Sequence, residues 1–77
     1  MNLNEYQALF ATRKWKLAMA FAPLDTPIEV KVKRVGDLLT IRTRASEFSK
    51  DSEDKKVSVS LNFEEKVATV TVTRKNQ

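Results

Sequence analysis

Alternation of apolar and polar residues dominates the second half of the chain. Ile28, Val30 and Val32 alternate with Glu29, Lys31 and Lys33 up to Gly36-Asp37, a favoured two-residue turn between half-buried strands. A turn there sets Val32 opposite Ile41, Val30 opposite Thr43 and Ile28 opposite Ala45. On the reverse face Lys33 meets Thr40, Lys31 meets Arg42 and Glu29 meets Arg44. Every pair sorts onto one apolar or one polar face, apart from Arg34 with Leu39 and the turn-flanking Val35 with Leu38. That agreement supports the register. A second hairpin is predicted around residues 64–67. In it Phe63 faces Ala68, Leu61 faces Val70 and Val59 faces Val72, while Asn62, Ser60 and Ser58 meet Thr69, Thr71 and Thr73.

The period changes before residues 23–27, where Pro-Leu-Asp-Thr-Pro interrupts any regular element. Steps of about 100° per residue put Leu3, Tyr6, Phe10, Leu17 and Phe21 on one stripe. Asn2 supplies a cap with Glu5 in the capping-box position, alanines favour the helix, and Pro23 stops it. Residues 15–22 carry a rival pattern. Trp15, Leu17, Met19 and Phe21 alternate with Lys16, Ala18, Ala20 and Ala22 as a strand would, although alanine is a poor strand former. The predicted architecture is α+β, an N-terminal helix packed on a four-stranded antiparallel sheet made of two hairpins, with one sheet face open. The rival pattern gives a short helix followed by a five-stranded sheet or small barrel. Residues 45–56 read as a charged loop, with Phe48 tucked against the end of the core.

Seventy-seven residues and 8.8 kDa make residues 1–77 a single small domain. The chain has no Cys, no His and one Gly. Disulfide and zinc staples are therefore absent, so stability must come from packing or self-association. The common acid–base and thiol routes of catalysis are missing too, as is a phosphate-cradling Gly loop. Ser46, Ser49 and Ser52 fall in a polar loop without an oxyanion architecture. Residues 50–56 hold three carboxylates but not the alternating ligands and Gly of a calcium loop. The expectation is a non-catalytic binding protein with no cofactor and no metal.

Fourteen Lys and Arg against ten Asp and Glu give +4 and a pI near 9.6, a sign suited to nucleic acid or an acidic protein surface. On the predicted sheet Lys31 and Arg42 are cross-strand neighbours flanked by Lys33 and Arg44, a crowding that repels unless it meets phosphates. The hydroxyl and amide ladder of Ser58, Ser60, Asn62, Thr69, Thr71 and Thr73 lies beside them. The face holds no aromatic residue, so it suits phosphate-backbone contacts more than base stacking. Arg13, Lys14 and Lys16 surround Trp15. In a continuous helix Trp15 and Met19 form a second apolar side opposite the Leu3 stripe, most simply for a dimer partner. In the strand version both join the core.

No apolar stretch reaches the ~20 residues of a membrane helix. The run from Leu17 to Ala22 is too short, and its leader too polar, for a signal peptide. A cytoplasmic protein without membrane contact is expected.

The segment from Val57 to Val72, with Asn62-Phe63-Glu64-Glu65-Lys66 at its turn, resembles the central hairpin of metal-trafficking ferredoxin-like domains, whose Cys pair this chain lacks. The helix-then-strands order is similar to that of Sm-like RNA-binding proteins, without their Gly-bearing signature. No family is assigned. The leading expectation is nucleic-acid binding through Lys31, Lys33, Arg42 and Arg44, assisted by Arg13, Lys14 and Lys16. The alternative is a protein-interaction module, of the accessory or inhibitory kind that phages and mobile elements encode, anchored by Trp15 and Met19.

Overall fold

A computed structural model describes residues 8–10 and 12–75. Residues 8–10 are helical, followed by α1 (Trp15–Phe21), β1 (Ile28–Lys31), α2 (Val35–Asp51), β2 (Lys55–Asn62) and β3 (Val67–Arg74). The fold is α+β with a three-stranded sheet in the order β1-β3-β2. β3 lies in the middle and pairs antiparallel with both neighbours, so α2 carries the chain from one edge of the sheet to the other.

The sheet has an apolar and a polar face because its strands alternate. Ile28, Val30, Val57, Ala68, Val70 and Val72 turn inward and form one core with Phe10, Ala18, Met19, Ala22, Leu38, Ile41 and Ala45. Glu29, Lys31, Lys56, Ser58, Ser60 and Asn62 are exposed on the other face, beside the half-buried Thr69, Thr71 and Thr73. The hydroxyl ladder is thus on the open face, as expected.

The first predicted hairpin is not formed. Residues 35–51 are helical, and the helical spacing of Leu38, Ile41, Ala45 and Phe48 explains why. As a helix this stretch buries Leu38, Ile41 and Ala45 to 2% exposure or less. As a strand it would have placed Thr43 on the apolar face and left Leu38 and Leu39 at a turn. Gly36 does not have the positive φ that a two-residue hairpin turn requires, and Asp37 sits in the first turn of α2, where a carboxylate complements the helix dipole. Thr40 and Thr43 donate their hydroxyls to the carbonyls of Gly36 and Leu39 one turn back, the bond that accommodates threonine within a helix. The sheet therefore has three strands rather than four. The predicted charged loop shrinks to residues 52–54, and Phe48 packs half-buried against the core.

The second hairpin forms in a different register. Leu61 faces Ala68, Val59 faces Val70 and Val57 faces Val72, a slip of two residues that leaves the strand side chains on their expected faces but moves Phe63 out of its predicted place opposite Ala68 into the turn, at 50% exposure. The slip makes room for a four-residue turn at residues 63–66. There Asn62 Oδ1 accepts the Glu65 N–H at 3.1 Å and Lys66 adopts φ 56°.

The N-terminal helix is not continuous. Residues 12–14 form a bend and turn, in which the Thr12 hydroxyl donates to Leu9 O at 2.9 Å and accepts the Lys14 N–H at 3.2 Å. That local bond competes with helix propagation and resets the phase. Met19 therefore enters the core at 1% exposure, while Leu17 and Phe21 point outward at 53% and 66%. Phe10 is buried as predicted. The strand alternative for residues 15–22 is also overturned, because α1 is helical. The Asn2 and Glu5 cap and the stripe positions Leu3 and Tyr6 lie outside the described residues.

Candidate functional site

The four cations expected on one sheet face are redistributed by α2. Only Lys31 remains on the sheet, at the end of β1. The Val32 N–H donates to Lys66 O at 2.9 Å and keeps the chain beside β3 for one more residue. Lys33 and Arg34 then lead into α2. Arg42 and Arg44 stand on α2 and are not cross-strand neighbours of Lys31 and Glu29. The two arginines are also separated from each other, because two helical steps turn about 200°. Arg42 is exposed toward the β2 edge, sharing a hollow with Lys56, Val57 and Val59.

Arg44 comes to the opposite flank and rejoins the two lysines. Lys31, Lys33 and Arg44 line one hollow together with Asp37, Thr40 and Ile41. An adjoining hollow is lined by Trp15, Leu39, Thr40, Thr43, Arg44 and Glu47. Thr40 and Arg44 belong to both. The Arg44 guanidinium carbon lies 5.6 Å from the centroid of the Trp15 ring, and Lys16 Nζ lies 5.5 Å from it. Both are within cation–π range, which contributes about 0.5–1 kcal/mol at an exposed site. The contact crosses from α2 to α1 and orients Arg44 beside the Lys31 and Lys33 hollow. Arg13 and Lys14 are exposed in the turn before α1.

The charge is unevenly distributed along the chain. Residues 8–46 hold eight Lys or Arg and three Asp or Glu, whereas residues 47–75 hold six of each. The excess therefore belongs to the part of the chain that contains α1, β1 and most of α2. Two carboxylates temper it locally, Asp37 in the first hollow and Glu47 in the second. Lys31, Lys33 and Arg44 form no ion pair with any described residue.

Of the residues predicted from sequence, Lys31, Lys33, Arg44, Trp15 and Lys16 all lie in this region, brought together by the packing of α2 beside β1 and α1 and not by cross-strand pairing. Arg42, predicted in the cluster, lies away from it, and Met19 is in the core at 1% exposure, where the strand alternative puts it, although the segment that carries it is helical. Thr40 joins the site without having been predicted there, and its proximity to Arg44 follows from their separation by four residues on a helix. The spacing of Leu38, Ile41, Ala45 and Phe48 was the signal that could have found it. Among the described residues no group of acidic side chains is arranged to hold a metal, and no helix is long and apolar enough to cross a membrane. Comparison of the chain with protein-family models, curated proteins and solved structures finds no match.

Proposed function

We propose that the protein is a non-catalytic binding domain that holds nucleic acid by its phosphates, using Lys31, Lys33 and Arg44 with Lys16 at the side. One observation carries this reading: Arg44 lines both hollows and rests against Trp15, in the part of the chain that bears the whole charge excess. Cations at such a surface gain affinity by releasing the counterions condensed on a nucleic acid. Arg44 supplies a planar fork matched to phosphate oxygens, and the lysines supply point charges. Trp15 acts here as a support that orients cations, because both cationic groups already lie against its ring. Arg42 has no part in the surface.

The test is an electrophoretic shift assay with single- and double-stranded probes at two ionic strengths. Arg44→Glu and the pair Lys31→Glu with Lys33→Glu are expected to weaken binding strongly, while Arg42→Glu changes it far less. Equal loss from Arg42→Glu would remove the assignment to this flank, and binding indifferent to salt would remove the mechanism.

A separate observation supports protein binding as the second reading. Leu17 and Phe21, one turn apart on α1, are both more than half exposed, an apolar pair of the kind that partners cover. Met19 cannot serve as its anchor, being 1% exposed. Under this reading Leu17→Lys abolishes capture of a protein partner and leaves nucleic-acid binding unchanged.

A further inference from the structure

The edge of the sheet formed by β2 is capped along only half of its length. In an antiparallel ladder the N–H and C=O of one residue point to the same side, and alternate residues point to opposite sides. Val57 turns both groups away from β3. Its N–H donates to Ser49 Oγ at 2.6 Å, and its C=O accepts the same hydroxyl at 3.3 Å. The Lys55 N–H likewise donates to Ser52 Oγ at 3.1 Å. Ser49 of α2 and Ser52, the residue that caps its C-terminus, thus occupy the first half of the edge. By the same alternation Val59 and Leu61 also turn their N–H and C=O outward, and no described residue bonds them. Proteins seldom leave such a stretch of edge open, because it is a template for another strand.

We infer that this half-edge pairs with the same half-edge of a second copy of the chain, joining two three-stranded sheets into one of six strands. The unoccupied groups select the register. Antiparallel pairing of Val59 with Leu61 of the second copy, and of Leu61 with its Val59, uses every outward group in four hydrogen bonds. The two-fold axis then passes beside Ser60, which faces itself. A shift that centred the axis on Val59 would require Val57, whose groups Ser49 already holds. Both faces continue across the junction, with Val59 and Leu61 on the covered side and Ser58 opposite Asn62 on the hydroxyl side.

Charge and shape agree with this partner. β2 begins with Lys55-Lys56 and leaves into Glu64 and Glu65. The antiparallel register therefore brings the basic end of each strand to the acidic end of the other, a self-complementary arrangement suited to two-fold symmetry. It also carries Phe63, 50% exposed in the turn, toward Val57 of the second copy. There a hollow between α2 and β2 is lined by Arg42, Ala45, Ser49, Val57 and Val59.

The chain has no cysteine, so a single one reports the register without interference. Ser60→Cys is an exposed change on the open face. In the paired state the two residues at this position form a non-hydrogen-bonded pair with Cα atoms about 4.5 Å apart, within disulfide range. Mild oxidation in the absence of nucleic acid should convert Ser60→Cys to a covalent species of twice 8.8 kDa. Ser58→Cys is the control, because in this register it faces Asn62 rather than itself and should crosslink at least tenfold more slowly. Light scattering of the unmodified chain should give twice the monomer mass at high concentration. Leu61→Pro removes one outward N–H per chain, two of the four bonds, and should weaken association by about tenfold or more. Retained circular dichroism shows that this variant is folded. If the Leu61→Pro variant unfolds, the Ser58 and Ser60 crosslinking comparison still decides. A monomer at all concentrations, or equal crosslinking at the two positions, overturns the inference.

Discussion

Replacing Gly36 by alanine distinguishes the helix from the hairpin by the sign of its effect. Gly36 is the second residue of α2, exposed and without a positive φ, and a Cβ built on it meets nothing within 4 Å. Alanine therefore fits without strain and lowers the entropy of the unfolded chain, an effect of about 0.4–1 kcal/mol in favour of the folded state. For a domain of this size each kcal/mol moves the melting midpoint by roughly 4–8 °C. Gly36→Ala should thus raise Tm by about 2–8 °C in a melt followed at 222 nm. Were Gly36 in a two-residue hairpin turn, its left-handed conformation would cost alanine about 1–2 kcal/mol and Tm would fall. A lower Tm for Gly36→Ala would refute the helical assignment of residues 35–51.

Two further substitutions probe the core and the capped edge. Met19→Ala should destabilise by about 2–5 kcal/mol in a denaturant titration, since Met19 is 1% exposed, whereas Leu17→Ala should stay within about 0.5 kcal/mol. Equal effects would contradict the phase of α1. Ser49→Ala leaves both backbone groups of Val57 without their partner and should cost about 1–3 kcal/mol. Unchanged stability would mean that water replaces the hydroxyl at no cost.

The legible parts of the fold are those in which neighbouring residues agree with one another. The β2–β3 hairpin was readable because alternation runs unbroken on both sides of its turn, and a slip of two residues cannot exchange the faces. Residues 35–51 were misread because Gly36-Asp37 is a strong turn signal and because valine, isoleucine and threonine suit strands. What decides for the helix is burial of Leu38, Ile41 and Ala45 against the other elements, a tertiary gain that local preference does not contain. The phase of α1 follows the turn at residues 12–14, where one hydroxyl, that of Thr12, makes two local bonds, so the stripe through Leu17 and Phe21 looks continuous in sequence. The candidate surface was partly legible for a simple reason. Its cations are concentrated in one part of the chain, and most of them stay together whether residues 42–44 are strand or helix, but only the helix separates Arg42 from Arg44.

The most direct test of the proposed surface is the emission of Trp15, the only tryptophan in the chain and the ring on which Lys16 and Arg44 rest. Titration with a duplex oligonucleotide should change its emission saturably. With four cations in contact, affinity should fall by roughly 150-fold between 50 and 200 mM salt. Arg44→Glu should abolish the low-salt response while the fold is retained. An emission that ignores the oligonucleotide at 50 mM salt, or an affinity equal at the two salt concentrations, would contradict the account.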